Sequence, residues 1–217
     1  MIPALDEARE VADAIASAAA PTVEVVVVDG GSRDETVARA QKAGARVLGC
    51  QPGRARQLQA GVAGTAAETL LFLHADTRLP PGWESDVEQA LEDPVVCGGA
   101  FRLRFDDRRP GLRVIEWWAR LRVAFFGLPF GDQAIFVRRE VLQEIGGVPQ
   151  APVMEDVDLV SAMKIRGRLV ALPRSVTTSA RRYRHGGVLR TAWRHALALG
   201  ARGAGVDRGR IQAWLGR

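Results

Sequence analysis

The residues of this chain that can do chemistry are mostly acids. Glu7, Asp29, Asp34, Asp76, Asp132, Glu155, Asp156 and Asp158 bear weighing, and several stand at a strand end or a helix start, flanked by Gly or Pro. Carboxylates placed so can hold a hard divalent cation through oxygen or take a proton from a hydroxyl. A single acid at a helix start is ordinarily a cap, and a cap box fits the segment 155–158 as well. The set says more than its members, because Asp29 closes the run VEVVVVD and Asp76 closes LLFLHAD. In an open parallel sheet both fall on the carboxyl edge of the strands, where ligands bind. A second, basic cluster is SARRYRHGG, residues 179–187, in which Arg181 or Arg182 is placed to stabilise an anion.

The elements that must position these groups follow from periodicity. Residues 22–29 form a β-branched run that predicts a strand buried on both faces. A helix over 34–43, a short strand over 45–49, a helix over 54–67 and a strand over 69–74 follow, which is the alternation of parallel βαβ units. Residues 100–105 alternate in twos as a half-buried strand does. Helices are expected over 112–126, 139–145, 155–166 and 188–199, with a strand over 134–137. In the first of these, Leu112, Ile115, Ala119, Val123 and Phe126 share one face. The two halves are expected to share one sheet. Only Met1 and Ile2 precede Pro3, so the first strand is a stub or begins further upstream.

Composition narrows the class. At 217 residues, 47% apolar and 25% charged, the chain is sized for one globular domain with a helical tail. Cys50 and Cys97 lack metal-type spacing and read as buried thiols in a reducing compartment. With neither a secretory signal nor a run of about 18 apolar residues in view, a cytoplasmic protein is expected, with the inner face of the membrane as a peripheral location. The net charge is +5 but unevenly spread: from Lys164 to Arg217 there are 13 Lys and Arg against one acid, Asp207. That tail calls for an anionic neighbour. Its aromatic content is too sparse for a single-strand nucleic-acid binder, so no nucleic acid is expected.

Five segments, IPALDEA, VVVVDGGSRDET, LLFLHADTRLPPGW, PFGDQAIFVRR and VMEDVDL, occur in the order and spacing of glycosyltransferase family 2. The chain resembles these inverting GT-A enzymes from residue 2 to about 185, and PFGDQAIFVRR with TSARRY resembles the subgroup labelled arsenosugar-biosynthesis-type. The resemblance implies an α/β fold, GT-A-like (Rossmann-like), with a mostly parallel central sheet flanked by helices. It implies one catalytic domain over 1–180, with a nucleotide-binding half (1–100) and an acceptor half (101–180), and a basic helical extension over 181–217.

The same resemblance assigns roles. Pro3, Ala4 and Glu7 match the loop that cradles base and ribose; Asp29 matches the acid that recognises the base; Arg54, Arg56, Gln57 and Ala75 fall near the nucleotide. Asp76 matches the last acid of the DxD motif, which holds Mg²⁺ or Mn²⁺ on the diphosphate of a UDP- or GDP-sugar. His74 stands where the first acid is usual, and a packed or hydrogen-bonded His is favoured there over a ligand. Glu155-Asp156 matches the acceptor-site pair, with Asp156 as general base and Glu155 second to it; Asp158 caps or braces the helix. Gly99 and the loop Gly131, Asp132 and Gln133 belong to the donor or acceptor pocket. Arg181 or Arg182 reaches the departing diphosphate, and His185 is a further metal ligand. The acceptor is a hydroxyl compound, lipid-linked acceptors included. The stripe Leu189, Ala192, Trp193, Ala196 and Leu197 packs as core or dimer, or lies on anionic lipid. Of Trp117 and Trp118, one belongs in the core and the other beside the acceptor cleft.

Two other classes remain. A nucleotidyltransferase would carry a Gly-rich phosphate loop with a basic residue near the N-terminus, which IPALDEA lacks. An inactive nucleotide- or anion-binding module would keep the fold without turnover. No GxGxxG follows a strand, which sets a dehydrogenase aside.

Overall fold

Four consecutive valines place branched side chains on both sides of one strand, so that strand must lie inside a sheet covered on both faces. The computed structural model, which describes residues 1–215 apart from the side chains at 185, 186, 188, 189, 192, 195 and 215, shows this. In chain order it holds β1 (Ile2–Ala4), α1 (Val11–Ala18), β2 (Val26–Asp29), α2 (Thr36–Lys42), β3 (Arg46–Gly49), α3 (Arg54–Ala63), β4 (Thr69–Phe72) and β5 (Thr77–Arg78). Then come α4 (Trp83–Leu91), β6 (Val96–Phe105), α5 (Pro110–Phe126), a 3-10 turn (Gly131–Gln133), β7 (Ile135–Arg138) and α6 (Arg139–Glu144). The chain continues through α7 (Glu155–Arg166), β8 (Arg168–Thr178), α8 (Arg181–Gly186), α9 (Val188–Gly203) and α10 (Arg208–Leu215).

Strands β1, β2 and β3 are parallel, with Ala4 opposite Asp29 and Asp29 opposite Gly49. The second group runs β4-β7-β6-β8-β5. In it β6 and β8 are parallel, while β4–β7, β6–β7 and β5–β8 are antiparallel. Two backbone bonds join the groups: the Met1 amine donates to Leu71 O (2.7 Å) and Leu73 N donates to Met1 O (2.9 Å). The expected α/β architecture holds, but the expectation of one shared sheet does not: β1-β2-β3 form an all-parallel sheet, and the other five strands form a second, mixed sheet in which β6 and β8 pair in parallel over most of their length. The first strand has three residues.

Alternation in β7 divides the core. Phe136 packs with α1 and α4 on one face, whereas Ile135 and Val137 pack with α3, α6 and α7 on the other. Helices α1 and α4 and strand β8 escaped the sequence reading. In β8 the period of two is interrupted by Pro173 at a register shift between Ala100 and Arg102 of β6, where a proline can sit in a strand. Three expectations need correction. Phe126, Trp117 and Trp118 are 67%, 54% and 62% exposed, so none joins the core, and neither tryptophan lines the cleft described below. Cys50 is only half-buried.

In the C-terminal stripe, Leu189 and Ala192 lie outside the described side chains, while Trp193, Ala196 and Leu197 are exposed. The side of α9 that packs is Ala198, which meets Val153 and Ile211. Asp158 fixes this tail: it accepts hydrogen bonds from Arg202 (2.6 and 3.1 Å) and Arg208 (2.8 and 2.9 Å). It braces the helices rather than capping α7.

Candidate active site

Where β4 ends, the chain turns through His74, Ala75 and Asp76, and the turn is tied to the end of β8. Ser179 N donates to Asp76 O (3.0 Å), and the Thr77 and Thr178 hydroxyls bond at 2.8 Å. This anchoring aims the Asp76 side chain into a cavity of about 130 Å³ that Arg54, Asp132, Glu155, Asp156, Thr178, Arg182 and Tyr183 also line. Asp76 and Asp156, far apart in sequence, thus face one space. Among the described residues the Asp76 carboxylate has a single hydrogen-bond contact, a 3.5 Å approach from the Thr77 hydroxyl, and His74 Nδ1 lies 4.0 Å away. An acid this lightly engaged fits a hard cation that draws its other ligands from a diphosphate. No group of three or more His, Cys, Asp or Glu among the described residues has metal-site geometry. The His185 side chain, expected as a second ligand, lies outside the described residues.

Helix α7 separates its two leading acids because adjacent helical residues point about 100° apart. Glu155 is 4% exposed and pairs with Arg54 Nε at 3.2 Å. Asp156 faces the cavity, and its two oxygens accept from Gly131 N (2.7 Å) and Val157 N (2.9 Å). The carboxylate is held in one orientation by the backbone. Gly131 leaves room for these side chains: a Cβ on it would press on the Arg54 guanidinium and lie 3.0 Å from Asp156 Oδ2, so a larger residue displaces Arg54.

Behind this rim lie two opposite charges, Asp132 and Arg122, both half-buried. Burial raises the Asp132 carboxyl above its ordinary range, against the opposing pull of Arg122. Burial also lowers Arg122, which stacks 3.4 Å from the centroid of the Phe130 ring. Tyr183 is pushed up to about 12, by burial first and then by Asp132. Sequence reasoning passed over Arg122, Tyr183, Phe105 and Phe130. The available signal was a pair of charges, Glu116 and Arg122, at or beside the inward face of a helix read as core.

Several expected site residues are engaged within the fold. Gln57 donates both amide hydrogens to backbone, to Ala4 O and Val28 O at 2.8 Å each, and so locks α3 onto β1 and β2 without lining the cavity. Gln133 is likewise consumed, donating to Phe101 O (2.9 Å) and accepting from Arg122 (2.9 Å) and Phe130 N (3.2 Å). Gly99 lies within the sheet, where a Cβ would sit 2.2 Å from Val170 O; strand packing accounts for it. Ala75 is core. Asp29 bonds its own loop, accepting from Gly31 N (2.9 Å) and Ser32 N (3.0 Å), at the strand edge beside Pro3 and Ala4. Glu7 and Arg181 satisfy each other at 2.9 and 3.0 Å. Burial nonetheless raises the Glu7 carboxyl, and the Glu7 bond raises Arg181. Arg182 is therefore the arginine of that pair that lines the cavity.

Solved structures with this architecture include glucosyl-3-phosphoglycerate synthase from Mycobacterium tuberculosis in complex with phosphoglyceric acid. It is 21% identical with a TM-score of 0.65, covering 95% of this chain and 79% of that one. The same synthase in complex with Mn²⁺, uridine diphosphate and glucosyl-3-phosphoglycerate is 22% identical with a TM-score of 0.64 and the same coverage. A mycobacterial protein is 22% identical with a TM-score of 0.58, covering 91% and 72%. At these identities the likeness is one of fold. No curated protein sequence matches the chain. The family model described as glycosyl transferase family 2 matches residues 1–146, about two-thirds of the chain; it carries no subgroup and stops short of Glu155 and Asp156. The chain belongs to glycosyl transferase family 2 and is a glycosyltransferase that uses nucleotide sugars.

Proposed function

We propose that the protein transfers a sugar from a nucleoside diphospho-sugar to an acceptor hydroxyl with inversion at the anomeric carbon, and that Asp156 is the general base. The observation that carries this reading is the shared cavity of Asp76 and Asp156. A cation bound at Asp76, Mg²⁺ or Mn²⁺, supplies charge neutralisation to the leaving diphosphate. The M. tuberculosis synthase, crystallised with Mn²⁺ and uridine diphosphate, supports this choice of partners. Asp156 takes the proton from the attacking hydroxyl, with its orientation set by the Gly131 and Val157 amides. Arg182, which lines the same cavity, stabilises the developing negative charge, while Glu155 holds Arg54 in place. The base and ribose lie along the strand edge at Pro3, Ala4 and Asp29.

The test is incubation with UDP- and GDP-sugars and a panel of hydroxyl acceptors, with released nucleotide measured and product anomer read by NMR. Nucleoside diphosphate and an inverted anomer are expected. Pyrophosphate release indicates nucleotidyl transfer, and a retained anomer removes the case for a single base.

A further inference from the structure

Helix α5 has two apolar faces. Leu112 and Ala119 turn into the core. On the other side Val114, Trp117, Trp118, Leu121 and Phe125 recur at the three- and four-residue spacing of one helical stripe, which runs about 16 Å along the axis. Val114 is 53% exposed and Phe125 76%. With ~150–250 Å² per aromatic ring and more than half of the Trp117, Trp118 and Phe125 rings exposed, the patch leaves on the order of 400 Å² in water, within the ~300–600 Å² of the largest patch on a monomer.

The rim of this patch is cationic. Arg108 and Arg120 are exposed on and beside α5. The nearby acids are paired: Glu116 is buried against Arg113 at 2.7 Å, Asp107 pairs with Arg109 at 3.3 Å and Asp106 with Arg184 at 3.6 Å. Helix α9 packs against α5 and leaves Trp193 66% and Leu197 51% exposed, with Arg190 and Arg194 beside them.

We propose that this face of α5 docks the protein on an anionic lipid surface. Indole rings settle at the headgroup level, phenylalanine rings reach the acyl boundary, and the arginines meet lipid phosphates. A second copy of the chain fits worse. A two-fold contact sets each arginine rim against its own image. The inner flank of the same helix supplies Arg122, which holds Phe130 in the cavity wall.

Cosedimentation of the full chain with phosphatidylglycerol-containing vesicles and with pure phosphatidylcholine vesicles, without any sugar donor, tests this. Binding to the anionic vesicles is expected, weakened by salt and accompanied by a blue shift of tryptophan emission. Trp118→Ser/Phe125→Ser should lose about tenfold or more in affinity, and Arg108→Gln or Arg120→Gln about fivefold each, with circular dichroism unchanged. Absence of vesicle binding overturns the proposal. So does unaltered binding by the double variant, or a concentration-dependent dimer that the double variant dissolves while vesicles bind neither form. Because no donor is present, a failure of the glycosyl-transfer reading leaves the outcome unaffected.

Discussion

Asp156→Asn keeps the shape of the side chain and removes its charge, so it separates proton abstraction from architecture. In the native site one oxygen accepts from Gly131 N at 2.7 Å and the other from Val157 N at 2.9 Å. An asparagine satisfies one of these donors and turns its amide hydrogens toward the other. The loss of one such hydrogen bond costs about 0.5–1.5 kcal/mol. At about 2–4 °C per kcal/mol for a chain of this size, Tm should fall by roughly 1–6 °C. The kinetic effect is larger and independent: a positioned general base contributes roughly 10²–10⁴-fold, or about 2.7–5.5 kcal/mol of barrier. Steady-state assays of nucleoside diphosphate release should show kcat down by that factor, donor KM nearly unchanged, and the acid limb of the pH–rate profile gone. A variant that keeps more than a tenth of native kcat, or whose kcat loss merely follows its folded fraction, refutes the assignment and moves the base elsewhere.

Asp76→Asn should abolish the Mn²⁺-dependent part of the thermal stabilisation by uridine or guanosine diphosphate while leaving the ligand-free Tm close to native, as differential scanning fluorimetry can read. Gly131→Ala places a methyl on Arg54 and Asp156; kcat should drop on the order of tenfold or more even where circular dichroism is native, since a shift of about 1 Å in catalytic geometry is expensive. Burial raises the Asp132 carboxyl, so the native state binds its proton more tightly than the unfolded chain does, and stability falls as pH rises through that window. Asp132→Asn should therefore raise Tm at neutral pH, with the gain fading as pH approaches the unfolded value of about 4; a gain that grows toward acid would be the wrong sign. Asp158→Ala strips the shared partner of Arg202 and Arg208. Limited proteolysis should then cut within or before α9 and α10 well before the rest of the chain, with a stability loss of about 2–3 kcal/mol.

Much of the architecture could be read from local pattern. The valine run of β2, the apolar run of β4 and the acids that close them at Asp29 and Asp76 need only period and polarity, which a single segment carries. Helix α7 was legible to the residue, because its acids, apolar spacing and following glycine all agree. Where several local signals were weak or mixed, reading failed: β8 hides its alternation behind Pro173 and a bulge.

The site divides along the same line. Sequence alone determined which groups were available: carboxylates at strand and helix ends, arginines in the tail, glycines where backbones approach. Tertiary structure alone decided which of them remain free for a ligand. Gln57, Gln133, Glu155 and the pair Glu7–Arg181 are spent on partners that stand tens of residues away or more, apart from contacts such as Gln133 to Phe130. Asp76 and Asp156 meet across one cavity only because the sheet order brings the end of β4, the end of β8 and the start of α7 together. Side-chain periodicity is a property of the few residues around a position, whereas hydrogen-bond satisfaction in a buried site is a property of every element that converges there.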